Sequence, residues 1–228
     1  MDSTPPSQTR KIVAFTLPMA IFITLLGLTA IRKPGAALWL SAPEHWIYPG
    51  QTFLCAAAVF WFWRDYDFLV PRKAWLALLI GIVVWVVWIA PQQFLGFELR
   101  TVGFDPEVLG KGSGSYWATV ILRFFRLVLV VPLVEEIFWR GFLLRYLIRE
   151  TFTEITVGAF SWLSFVVVTV AFGFTHSRAD WIPALICGAL YNLVAYRTRS
   201  LASCVLAHAT TNLLLGLWIM QTRQWGFW

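Results

Sequence analysis

The chain has 228 residues, of which 59% are hydrophobic and only 13% charged, with 14 Trp and 19 Phe. That composition excludes an ordinary soluble domain and reads as an integral membrane protein. The net charge of +6 arises from Lys and Arg spread among short connections, never as a basic stripe with interleaved aromatics, so it is read as topological charge and no nucleic-acid partner is expected.

Residues 1–11 form a polar N-terminal tail, and its start, MDSTPPSQT, has the composition of a disordered segment. The apolar run from Ile12 to Ile31 has basic residues before it, as a signal peptide does. It extends for 20 residues, however, and is followed by Arg32 and Lys33 rather than a cleavage site, so it is read as a retained span. Further apolar runs follow at about 47–63, 74–95, 116–148, 157–176, 181–196 and 201–220. The fold class is therefore all-α, a polytopic membrane bundle of about seven or eight transmembrane helices.

Two features divide the chain. A polar connection from about Gly96 to Ser115, holding Glu98, Arg100, Asp105, Glu107 and the run GKGSG, separates residues 12–95, a scaffold of N-terminal helices, from residues 116–220, which carry the ionisable residues within apolar runs. Within that second half, the run 116–148 is too long for one simple crossing and contains Pro132. The missing N–H of Pro132 leaves the Val128 carbonyl without its helical partner, which predicts a kink and a last third that emerges at the surface or forms a separate short helix. Cys55, Cys187 and Cys204 lie far apart in apolar runs and imply neither a disulfide framework nor a metal cluster.

With seven spans and the N-terminus inside, the inner connections carry Arg10, Lys11, Arg64, Arg72, Lys73, Arg145, Arg149, Arg197 and Arg199. The outer ones carry Arg32, Lys33, Arg100, Lys111, Arg178 and Arg223. Nine against six is a shallow bias toward that orientation.

Three polar clusters interrupt the apolar runs of the second half. In VPLVEEIFWRGFLL, Glu136 and Arg140 are i and i+4 and can pair on one helix face, while Glu135 points about 100° away. Charges at bilayer depth cost at least about 2.5–3.5 kcal/mol each, so three in six residues require compensation. A pair that locks two helices would explain Glu136 and Arg140 but not the second glutamate. In AFGFTHSR, Phe172 and His176 are one turn apart, and an interfacial histidine is the plainer reading of His176 alone. In LAHATTNLLLG, His208 and Asn212 share a face of the last span, where interhelical hydrogen bonding would account for them equally well. Taken together, two glutamates, an arginine, two histidines and an asparagine on three apolar helices supply a base, a water-orienting group and oxyanion donors.

These clusters resemble the motifs of the CPBP family, the CAAX prenyl endopeptidases of the Rce1 type and their bacterial relatives: EExxxR as Glu135, Glu136 and Arg140, FxxxH as Phe172 and His176, HxxxN as His208 and Asn212. The run FWRGFLLRYL is also similar to a bacterial subgroup of CAAX-protease-related proteins associated with exosortase systems. The resemblance covers about residues 116–216 and implies a helical membrane protein whose core encloses a catalytic cavity. It implies that one glutamate and the first histidine activate water and that the second histidine and the asparagine form the oxyanion hole.

The expected activity is that of a CAAX-type intramembrane glutamic endopeptidase without a cofactor, acting on a membrane-associated protein or peptide within the lipid, in the bacterial cytoplasmic membrane. In this reading Glu135, helped by His176, takes a proton from water, His208 and Asn212 donate to the oxyanion, and Glu136 with Arg140 orients the groups around them. A zinc hydrolase with Glu135, His176 and His208 as ligands is one alternative, although no HExxH spacing accompanies them. A non-catalytic membrane adaptor or immunity-type protein, which keeps the polar cluster for packing, is the other.

Overall fold

The computed structural model describes residues 7–66, 68, 70–98, 100 and 103–228. The expectation of disorder at MDSTPP lies outside the described residues. Each of the seven apolar runs becomes a helix: α1 (Gln8–Gly27), α2 (Glu44–Trp61), α3 (Ala74–Phe94), α4 (Gly114–Tyr146), α5 (Trp162–Phe174), α6 (Trp181–Thr198) and α7 (Leu201–Thr222). Helix α1 starts earlier than its apolar run because the Ser7 side chain accepts the Arg10 N–H, so residues 8–11 belong to the helix rather than to a polar tail.

Among the described residues, five helices are long and apolar enough to cross a membrane: α1 with its short 3₁₀ extension to Ile31, then α3, α4, α6 with its 3₁₀ lead-in from Arg178, and α7. Two of the expected seven crossings fall short of that measure. Helix α5 has 13 residues, about 20 Å of rise against a hydrocarbon layer of about 30 Å. Helix α2 has 18 residues, but Glu44, His45, Gln51 and Thr52 dilute its apolar character.

Contacts at the helix ends show that successive helices run antiparallel. At one end Arg10 pairs with Asp65 at 2.8 Å, Lys73 Nζ donates to Arg197 O at 2.9 Å, and the Arg72 N–H donates to Ser203 Oγ at 2.9 Å. At the other, Arg32 pairs with Glu44, Arg100 with Asp180, and Gln93 donates to Gln224. Large apolar side chains such as Phe53, Phe60, Leu79, Ile121, Leu163 and Leu217 are exposed on the outer faces, as they must be when lipid rather than water surrounds the bundle.

The working half sits against α3 through small residues. A Cβ at Gly81 would meet Ala207 O at 2.6 Å and Thr210 Cβ at 2.7 Å, so glycine is what lets α3 and α7 touch backbone to backbone. Thr211 Oγ1 uses the gap to donate to Gly81 O at 2.8 Å. The α6–α7 hairpin is closed by Arg199 at φ 50°, whose N–H returns to Ala195 O at 2.8 Å, a left-handed helix end that sets α7 directly beside α6.

Two expected outcomes follow from this packing. Gly81→Leu forces α3 away from α7 and lowers thermal stability by about 1–3 kcal/mol, with reduced accumulation in the membrane, read by fluorescence-detected size exclusion after heating. Cysteines introduced at Arg64 and at Lys111 are labelled by impermeant maleimide from opposite sides, and the native Cys55, Cys187 and Cys204, all buried, stay silent. Labelling of both from one side would contradict the antiparallel arrangement.

Candidate active site

Helix α4 is continuous over 33 residues, so the separate short helix expected beyond Pro132 does not form. The chain absorbs the proline differently. Residues Arg126–Val130 form a π-helical turn in which the Val131 N–H reaches back five residues to Arg126 O, and Pro132 then falls in the first turn of the next α-helical stretch, where no N–H is needed. A second π segment, Ile137–Leu143, ends with the Leu144 N–H on Trp139 O. The last third stays inside the bundle, with Ile137, Arg140, Leu144 and Arg145 buried.

Arg140 is fully buried at 0% exposure, and each of its three guanidinium nitrogens makes a hydrogen bond. Nη1 donates to Glu136 Oε1 at 3.0 Å, Nε to Asn192 Oδ1 at 3.1 Å and Nη2 to Gly188 O at 3.1 Å, while its carbon lies 5.0 Å from the Phe172 ring centroid and 5.4 Å from that of Tyr191. One side chain on α4 thereby grips α6 at two points and packs against α5. Asn192 is itself held, through Nδ2, by Thr169 Oγ1 on α5 at 3.1 Å.

Glu136 extends this network to α7. Its Oε1 also accepts from His208 Nδ1 at 2.9 Å, and the imidazole stacks on Tyr191 with centroids 5.0 Å apart. Because a carboxylate only accepts, the proton on this bond belongs to Nδ1, which leaves Nε2 of the neutral ring as a lone-pair atom. Both the cation and the imidazole thus act on Oε1 of Glu136, while its buried Oε2 has no hydrogen-bond partner among the described residues.

Glu135 is oriented differently. It lines a cavity of about 820 Å³, shared with His176, His208, Asn212, Tyr191 and Trp88, and its carboxylate makes no hydrogen bond or ion pair with the described residues. His176, just beyond the C-terminal end of α5, places Nδ1 2.9 Å from Phe172 O. A carbonyl oxygen can only accept, so Nδ1 is the donor there and Nε2 again carries the lone pair. The edge contact with Trp88, 5.3 Å between centroids, fixes the ring plane. Asn212 Nδ2 donates to Leu127 O at 2.7 Å. That bond uses one of the two amide hydrogens and leaves the other for the cavity.

All six candidate residues read from the sequence thus lie in one contiguous region, four on the cavity wall and two, Glu136 and Arg140, in the layer behind it. Sequence reasoning missed Asn192, Tyr191 and Thr211. Asn192 carried a signal, a lone amide in the apolar run 181–196. Tyr191 and Thr211 carried none, and only the fold aligns the Tyr191 hydroxyl 2.7 Å from Thr211 Oγ1. For the zinc alternative, the described residues hold no group of three or more His, Cys, Asp or Glu side chains gathered closely enough to share an ion. Glu135, His176 and His208 face one cavity without converging as a ligand set.

Residues 116–214 match the family described as "Type II CAAX prenyl endopeptidase Rce1-like", while no curated protein and no solved structure matches the chain. The family implies CAAX-type intramembrane protease activity, a hydrolase of membrane-embedded substrates. Every motif position, from Glu135 to Asn212, falls inside the matched segment, which is similar to the Rce1-like family.

Proposed function

We propose that the chain is an intramembrane endopeptidase of the glutamic type, which hydrolyses a peptide bond of a membrane-associated substrate with water activated by Glu135 and His176. The observation that carries this reading is the contrast between the paired glutamates. Glu136 is fully buried behind the cavity with its Oε1 held by Arg140 and His208, whereas Glu135 stands on the cavity wall with no hydrogen bond or ion pair to the described residues.

In this mechanism Glu135 takes a proton from a water molecule whose second hydrogen is held by the His176 Nε2 lone pair, and the water oxygen adds to the scissile carbonyl. General-base assistance of this kind is worth about 10²–10⁴ in rate. The second Nδ2–H of Asn212 donates to the oxyanion as the tetrahedral centre forms. His208 joins it as a donor only in the doubly protonated state, because Nδ1–H is already given to Glu136, and Glu136 then balances the imidazolium charge. Collapse of the intermediate breaks the C–N bond, and the proton on Glu135 passes to the departing amine. The surrounding apolar bundle keeps bulk water from competing for these hydrogen bonds.

The proposed setting is the bacterial cytoplasmic membrane, with the end that holds Arg10, Lys11, Arg64, Arg72, Lys73 and Arg197 facing the cytoplasm. No cofactor is assigned. The zinc alternative is kept apart by a chelator: activity lost to EDTA and restored by zinc would replace the glutamic mechanism.

Substrates are found by comparing the membrane proteome of cells with and without the protein, and cleavage is then followed on the purified full chain. Glu135→Gln abolishes turnover while the folded protein accumulates normally, since the substitution keeps the shape and removes only the base. A fully active Glu135→Gln beside an inactive Glu136→Gln would reverse the two roles. Asn212→Ala lowers kcat by about 10²–10³ through loss of an oxyanion donor. Its fold changes far less, because a polar contact between membrane helices averages about 0.6 kcal/mol. Unchanged turnover, or failure of Asn212→Ala to accumulate, assigns Asn212 to packing instead.

A further inference from the structure

Tyr191 on α6 takes no part in the proposed mechanism, although it is buried and lines the cavity with Glu135 and Asn212. A buried phenol beside reactive groups suggests an acid or an oxyanion donor, and the direction of its hydrogen bond excludes both. The carbonyls of Gly81 and Ala207 can only accept, so the Thr211 hydroxyl spends its hydrogen on them, at 2.8 and 3.2 Å. Thr211 Oγ1 must then be the acceptor of its 2.7 Å bond with Tyr191, which commits the tyrosine proton to Thr211 rather than to a ligand. What Tyr191 presents to the site is therefore its ring. The His208 imidazole lies on that ring nearly parallel, with planes 29° and centroids 5.0 Å apart. The Thr211 bond and an edge contact with Phe172, 6.4 Å between centroids, hold the ring in place.

Counting charges shows what the stacking contributes. His208 donates to an oxyanion only with a second proton, because Nδ1–H is given to Glu136. Arg140 bonds the same Oε1 of Glu136, so in that state one carboxylate stands against two buried cations. Such an arrangement is costly without a further stabiliser. The electron-rich face of a tyrosine ring is one, and it favours the charged imidazole over the neutral one. The other titratable side chains facing this part of the core are Glu135 on α4, His176 beyond α5, Cys187 on α6 and Cys204 on α7. Helix α3, packed along α7, carries none between Ala74 and Phe94.

We infer that Tyr191 is a positioning residue whose ring face orients His208 and stabilises its doubly protonated state, so that Nε2 becomes a donor as the oxyanion forms. The inference rests on the proposed oxyanion role of His208 and adds to it the group that makes that role accessible. The imidazolium is stabilised most when negative charge develops beside it, so Tyr191 contributes to the chemical step and not to substrate binding.

The test uses the full chain in detergent micelles with isotope-labelled histidine. The sequence has three histidines, so the ring-nitrogen spectrum is simple, and the signals lost in His208→Gln are those of His208. Tyr191→Phe keeps the ring face and Tyr191→Leu removes it. At mildly acid pH the ratio of doubly protonated to neutral His208 falls about threefold or more in Tyr191→Leu and holds in Tyr191→Phe. On a cleaved substrate, Tyr191→Leu lowers kcat by about three- to thirtyfold with KM unchanged, and Tyr191→Phe retains most of the activity. Tyr191→Met, which fills the space without an aromatic face, serves if Tyr191→Leu does not accumulate. An unchanged protonation ratio in Tyr191→Leu, or a loss carried by KM alone, overturns the inference. A kcat loss in Tyr191→Phe as large as in Tyr191→Leu overturns it too and assigns the effect to the hydroxyl. The expected protonation ratios in a parent chain that hydrolyses nothing overturn the proposed function alone.

Discussion

The arrangement of the core depends on keeping one fully buried guanidinium paired. Arg140 sits at 0% exposure, so a guanidinium nitrogen left without an acceptor would carry the penalty of desolvation. Acceptors come from Glu136 on its own helix and from Asn192 and the Gly188 carbonyl on α6. Glu136 then needs a second donor, and His208 on α7 provides it. Three helices are thereby fixed in rotation about their own axes by a single charge network. Removing one member leaves an unpaired buried charge, which is the costly outcome, whereas the network as a whole specifies register more than it adds stability.

That network also determines what reaches the cavity. Since Glu136 and Arg140 are turned toward α6 and α7, Glu135, about 100° around the helix, faces open space instead. The Nδ1 atoms of both histidines are committed to fixed acceptors, Glu136 for His208 and the Phe172 carbonyl for His176, which sets the tautomers and aims each Nε2 outward. Preorganisation of this kind matters more in a bilayer than in water, because no solvent can substitute for a misplaced donor.

Local backbone irregularity supports the same site. The π turn at Arg126–Val130 accommodates Pro132 without breaking α4 and leaves the Leu127 carbonyl for Asn212. Gly81 permits α7 to lie against α3, so that Thr211 can bridge Gly81 and Tyr191 behind the imidazole of His208. Helix α5 is only 13 residues long, and His176, just beyond its C-terminal end, lines the cavity.

The six polar residues were legible in the sequence because charge and amide groups in apolar runs are conspicuous, and their i, i+4 spacings state which ones share a face. The seven helices were legible for the same reason, since lipid tolerates no other way of closing the backbone hydrogen bonds of a long apolar run. What Pro132 would do was not: proline removes one N–H locally, but whether the chain kinks, stops or widens into a π turn depends on the neighbours packed against it. Nor could the sequence show that α5 is too short to cross, because its apolar run continues through loop residues that look the same in composition. The choice between the two adjacent glutamates belongs to the tertiary structure as well. Periodicity places them 100° apart, but only the positions of Asn192, Gly188 and His208 decide which carboxylate is neutralised and which faces the cavity. Composition and spacing determined a membrane helix bundle with a buried set of reactive groups; the pairing of charges across helices, which no single-helix periodicity encodes, decided how those groups face one another.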